Sequence, residues 1–262
     1  MIQRCISSRA FDPGTSLATM AKSSARAGFE GLELVMDDRG ELGLTTSPAD
    51  VAAVLRHFAE AGLAVAALTS DLYKTQNFAS PDESSRRAAA ETTRRLIELA
   101  CRLEAPLVWL RGAVIDPSQK SDEIVSYETA LHYVFEGVME MAEQAEKHGV
   151  KIAVRAASDG FLLSPVETRD LVDRLNSPAI GVAFSLNDVA RFGCPEDWLR
   201  CLSYRLQAVF LGAREGPNGE ASEIDTAKIC EALDEVHYEG PLIYESAGDL
   251  SDIATILKTL SA

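Results

Sequence analysis

With 262 residues, 47% hydrophobic and 25% charged, the chain has ample apolar material for a continuous core, which excludes a disordered polymer. Length alone would allow two domains, but α/β barrels reach this size as one, so a single domain over 1–262 is the simpler reading. The 25 basic and 40 acidic residues give a formal charge of -15, a field that repels phosphate backbones and anionic membranes and argues against nucleic acid as a partner.

The opening Met1-Ile2-Gln3-Arg4 leads straight into an apolar run, without a signal-peptide pattern or a bilayer-length stretch, so a cytoplasmic protein without a membrane partner is expected. That run, Ile2 to Ser7, is followed by Gly31 to Val35, Ala64 to Leu68, Pro106 to Leu110, Val150 to Val154, Ile180 to Phe184, Leu206 to Leu211 and Pro241 to Tyr244. Each is brief, rich in Val, Ile or Leu and lacks in-out alternation, the pattern of parallel strands buried on both faces. Helical patterns fill the intervals. Ser47-Pro48-Ala49-Asp50, Ser80-Pro81-Asp82-Glu83 and Ser164-Pro165-Val166-Glu167 each offer a Ser cap, an early Pro and an acid three residues on. Ser70 to Ser80 reads as a rim loop after the third strand. The longest helix, about Glu123 to His148, carries Leu131, Val134, Phe135, Val138, Met141, Ala142 and Ala145 on one stripe and stops at Gly149.

Eight strand-helix alternations with right-handed crossovers predict an α/β fold, a single (β/α)8 TIM barrel. No Gly-x-Gly-x-x-Gly follows the first strand, which counts against a dinucleotide-binding sheet. Cys5, Cys101, Cys194, Cys201 and Cys230 are scattered without a Cys-x-x-Cys pair and read as reduced structural thiols.

Four segments together resemble the xylose-isomerase-like barrels, the superfamily of sugar and sugar-phosphate isomerases and epimerases that also holds the apurinic-site endonucleases. They are Ala27-Gly28-Phe29-Glu30-Gly31-Leu32-Glu33-Leu34, Phe78-Ala79-Ser80-Pro81-Asp82-Glu83 through Ala100, Ala142 through Val150, and Tyr238-Glu239-Gly240-Pro241-Leu242-Ile243-Tyr244-Glu245. The resemblance implies a divalent metal such as Mg, Mn or Zn at the barrel mouth, held by a Glu ending strand 5, an Asp ending strand 6, a His on strand 7 and a Glu ending strand 8. Here the last is Glu245, but the strand 5 position is Arg155, the strand 6 Asp-x-x-His reads Ser185-Leu186-Asn187-Asp188, and the strand 7 His-x-x-Asp reads Leu211-Gly212-Ala213-Arg214. A unit positive charge about 4 Å from a divalent ion costs roughly 8 kcal/mol at an effective dielectric near 20, enough to cancel micromolar affinity. No metal and no cofactor are therefore expected at this degenerate site. His57, His132, His148 and His237 fall on helices or just before a strand, away from the mouth.

Barrel sites are built at the C-terminal ends of strands. That rule selects Ser7, Ser8, Arg9, Glu33, Thr69, Ser70, Asp71, Arg111, Arg155, Ser185, Asn187, Asp188, Arg214, Glu215 and Glu245. Glu245 and Glu33 are the acid/base candidates, by analogy with paired carboxylates that move protons between adjacent carbons. Arg155, Arg111 and Arg214, with Asn187, Asp188 and Ser185, are the substrate-binding candidates, since guanidinium groups facing one cavity favour a carboxylate or phosphate. The alternative for Arg155 is an internal salt bridge to Glu245. Gly212 to Gly219 reads as a surface turn or as a phosphate-binding loop, and Trp109 and Trp198 as packing residues.

Two functional expectations follow. One is a sugar isomerase- or epimerase-like barrel acting on or binding a small polyhydroxy or anionic ligand, a sugar or sugar phosphate, without the usual metal. The other is a catalytically inactive binding or accessory barrel locked by Arg155 and Glu245. Self-association as a homo-oligomer is left open.

Overall fold

The structure is a computed structural model that describes residues 2–36, 41–43, 45–115, 125–212 and 225–261. Eight strands close into a barrel in sequence order: β1 (Gln3–Ser7), β2 (Gly31–Met36), β3 (Ala64–Ser70), β4 (Leu107–Leu110), β5 (Lys151–Arg155), β6 (Ile180–Ser185), β7 (Leu206–Leu211) and β8 (Pro241–Tyr244). Every pairing is parallel, and β8 returns to β1 with Gln3 opposite Pro241 and Ile6 opposite Tyr244. The expected (β/α)8 barrel is what the chain forms.

The helices on the outside are α1 (Leu17–Ala27), α2 (Pro48–Ala61), α3 (Glu83–Arg102), α4 (Tyr127–His148), α5 (Pro165–Leu175), the single-turn α6 (Leu186–Val189), α7 (Pro195–Leu202), α8 (Thr226–Glu235) and α9 (Leu250–Leu260). Ser47 and Asp50 make a reciprocal capping box at the start of α2. Ser164 accepts from Glu167 N at the start of α5. The α3 start differs from expectation: Asp82 caps it, accepting from Ser84 N and Ser85 N, while Ser80 Oγ accepts from Asp82 N. A carboxylate next to the helix gains from both the free N–H groups and the helix dipole, which favours Asp82 over the more distant hydroxyl. The long helix begins at its Ser126 cap and ends at Gly149, whose φ of 67° suits a residue without a Cβ. Between Ser70 and Ser80 the chain is not wholly irregular, since Asp71–Lys74 forms a 3-10 turn capped by Ser70.

Two apolar layers result. The outer one packs helices on the barrel and includes Ile6, Leu34, Leu68, Val108, Val154, Phe184 and Leu211. Inside the barrel are Cys5, Ala66, Ala67, Leu107, Trp109, Ala153, Ala183, Ala208, Phe210 and Ile243. The five alanines leave room for two large rings, and Trp109 and Phe210 fill it edge to face with centroids 5.5 Å apart. These rings form the floor on which the polar residues of the mouth stand.

Candidate functional site at the barrel mouth

Arg155 is the last residue of β5, two residues beyond the inward-facing Ala153, so strand alternation turns it into the barrel. Its side chain is 6% exposed, with the guanidinium carbon 5.1 Å from the ring centroids of both Trp109 and Phe210. Nη1 donates to Glu245 Oε2 at 2.8 Å and Nη2 to Glu245 Oε1 at 2.7 Å, a bidentate pair across the barrel. Nε donates to Asp188 Oδ2 at 2.9 Å, and Nη2 lies 2.8 Å from the same oxygen. Both carboxylates thus share one guanidinium.

Burial acting alone would push the Glu245 carboxyl up. The charge of Arg155 outweighs it, and with the Arg155 hydrogen bonds, the nearby Arg9 and the Ser185 hydroxyl holds the group below the usual glutamate range. The same balance raises Arg155: desolvation opposes its charge, and the attraction of Glu245 and Asp188 prevails. Ser185 Oγ donates to Glu245 Oε1 at 3.3 Å and accepts from Asp188 N at 3.4 Å as the cap of α6. Asn187 Nδ2 lies 3.5 Å from where a Cβ on Gly212 would be, which puts its amide at the end of β7.

Glu33 is fully buried beside this cluster. Its Oε1 accepts from Trp109 Nε1 at 2.9 Å and from Arg9 Nη1 at 3.3 Å, and its Oε2 accepts from Ser7 Oγ. Arg9 also binds Asp71 Oδ1 at 2.7 Å, with its guanidinium carbon 5.5 Å from the Trp109 centroid. One indole therefore links the two halves of the mouth, donating to Glu33 while Arg155 and Arg9 face its ring. Asp71 is itself held below the usual aspartate range: burial would raise it, but Arg9 and Lys74 lower it further.

The structure brings Arg155, Glu245, Asp188 and Ser185 together, with Glu33 alongside through Trp109. Arg111 is not part of that group, because it bonds Asp159 in the loop after β5. Arg214 lies outside the described residues. The strand 7 register needs correction: the inward residue is Phe210, which faces Arg155, whereas Leu211 packs in the outer layer. Reading the run as all-apolar concealed its parity, which only the alternation from Ala208 to Phe210 reveals. Trp109 and Phe210 were missed as site residues because an apolar or aromatic position within a strand reads first as core. The four histidines lie on α2, on α4 and just before β8. Among the described residues no group of three or more His, Cys, Asp or Glu is placed to hold a metal ion.

A xylose isomerase-like TIM barrel profile matches residues 21–260. The chain belongs to this family. Solved structures similar to this xylose isomerase-like barrel include a D-psicose 3-epimerase with D-tagatose from Clostridium cellulolyticum H10, at 16% identity and a TM-score of 0.80, covering 99% of this chain and 91% of that one. A 3-keto-D-glucoside 4-epimerase from E. coli has 14% identity and a TM-score of 0.80, covering 100% and 99%. An AP endonuclease, family 2, from Brucella melitensis has 14% identity and a TM-score of 0.72, covering 96% of each chain. No curated protein matches. At these identities the neighbours establish the frame of the barrel and not its chemistry.

Proposed function

We propose that this barrel binds a small neutral polyhydroxy compound of the sugar type at its mouth, holds no divalent metal there, and moves no proton through Glu245. The observation that carries this reading is the bidentate pairing of Arg155 with Glu245, joined by Asp188. A guanidinium seated between those carboxylates takes the position and the charge that a cation would need. Ser185 contributes a hydroxyl already committed to Glu245 and α6, and Phe210 contributes no donor atom at all. This donor set does not fit Mg, Mn or Zn.

A catalytic base needs an accessible lone pair and an affinity for protons near working pH. Glu245 has both oxygens in hydrogen bonds to a cation and is held ionised, and Glu33 is fully buried with both oxygens accepting. Neither arrangement suits abstraction of a carbon-bound proton, which favours binding over isomerisation. A neutral ligand is favoured over a sugar phosphate because Arg155, Arg111 and Arg9 are each matched by carboxylates: Glu245 and Asp188, Asp159, and Glu33 and Asp71. Nucleic acid fits poorly with a charge of -15, and no helix among the described residues is long and apolar enough to cross a membrane. The sugar epimerases among the structural neighbours support a sugar-type ligand.

The test is titration with D-tagatose and D-fructose, followed by nuclear magnetic resonance of each sugar in deuterated water. Saturable binding without deuterium uptake at carbon is the expected outcome. Deuterium incorporation that disappears in Glu245→Gln would establish proton transfer and overturn the reading; failure of both sugars to bind would count against a sugar-type ligand.

A further inference from the structure

We infer that the opposite end of the barrel, where the strands begin, carries a second binding site, for one neutral sugar ring. This inference is independent of the mouth reading. A cavity of about 520 Å³ opens there, a volume ordinary for a small-molecule site. Its lining includes Gln3 of β1, Lys151 of β5, Gln207 of β7, Tyr204, His237 and Glu239.

The floor is shaped by two glycines. A Cβ on Gly181 would stand 2.4 Å from Gln207 Cγ and 2.6 Å from the Arg205 carbonyl oxygen, so the Gln207 side chain folds across β6 only because that residue is glycine. Gly31 does the same for Gln3, whose Nε2 is 3.2 Å from the corresponding Cβ position. Two amides are thereby laid flat on either side of β8. Gln3 makes one long bond, Nε2 to the Glu30 carbonyl at 3.5 Å, and the Gln207 amide makes none among the described residues. Lys151 Nζ donates to the Pro178 carbonyl at 2.5 Å, leaving further N–H groups for a ligand.

Above this floor Tyr204 is 77% exposed, an unusual state for an aromatic ring, with the Arg205 guanidinium 4.2 Å from its centroid. The preceding residue, Ser203, has φ 47° and ψ -128°, and His237 of the same lining has φ 51°. Non-glycine residues persist in such conformations only where the surroundings enforce them. An exposed tyrosine ring beside amides that both donate and accept matches a sugar, whose C–H face stacks while its hydroxyls both give and take hydrogen bonds. A phosphate or carboxylate would meet the Glu239 carboxylate, which lines the same cavity, and this repulsion favours a neutral ligand.

Saturation-transfer magnetic resonance with methyl β-D-glucopyranoside, run beside glucose 6-phosphate, tests the site on the full chain. The neutral glycoside should show saturable transfer, weakened about tenfold or more in Tyr204→Ala and in Gln207→Ala, and stronger than that of the phosphate. Tyr204 is on the surface, so its variant keeps the fold. No saturable transfer, or transfer in both lower-end variants equal to that of the native protein, would overturn the second site.

Discussion

A guanidinium and a divalent cation can both hold two carboxylates together, but the guanidinium leaves no open coordination position for substrate. Arg155 shows the consequence. Its partners, at 2.7 to 2.9 Å, use both oxygens of Glu245 and one of Asp188. Removing one member of so buried a pair strands the other, so Arg155→Met should lower stability by about 3–5 kcal/mol in urea denaturation, and adding Glu245→Leu should restore most of the loss. The pH dependence follows from the same contact. Because Glu245 titrates lower in the folded protein than in the unfolded chain, its stabilisation is complete above the ordinary glutamate value of about 4.3 and fades as pH falls below it. Acid denaturation of Glu245→Gln should lack that component, whereas a parallel loss in both proteins would contradict the assignment. The charge at 155 was legible in the sequence, together with its pairing to Glu245. Its second partner, Asp188, was read only as a ligand contact, because the bond depends on the single turn of α6 folding back over β6. Arg9 stood among the mouth residues, but its double contact with Glu33 and Asp71 depends on three separate strand ends meeting in space.

At the level of elements, local signals carried most of the prediction. The capping box at Ser47, the Ser164 cap and the left-handed stop at Gly149 are patterns complete within a few residues, and each is where the sequence placed it. What local pattern did not supply was the facing of β7, since an unbroken apolar run carries no marker of which side is inward. Packing between elements is similarly hidden until the structure is known. Gly137 of α4 is an example, because a Cβ there would come within 2.2 Å of Phe78 Cδ1 in the segment leading to α3. Alanine is the better helix former, yet Gly137→Ala should destabilise the protein by about 1–3 kcal/mol through overpacking, measured by thermal or urea unfolding. A gain in stability would mean that the Phe78 ring moves aside freely.

Across the whole molecule, the barrel is written in local segments of the chain, whereas the site is assembled from distant ones. Each strand is a short contiguous run, so the frame survives in the sequence even where solved neighbours share only 14% to 16% identity over nearly the full chain. The site is assembled from residues as far apart as Arg155 and Glu245, and its meaning depends on which groups meet. The alanines that line the interior and the two rings that fill it create an apolar floor, which strengthens the charge pairing above it. If Arg155 serves in place of a cation between Glu245 and Asp188, as proposed, no divalent ion should bind there. Isothermal titration of the native protein with Mn²⁺ tests it most directly. The expected result is no stoichiometric binding tighter than about millimolar and no difference between native protein and Glu245→Gln. A one-to-one micromolar site that vanishes in Glu245→Gln would contradict it.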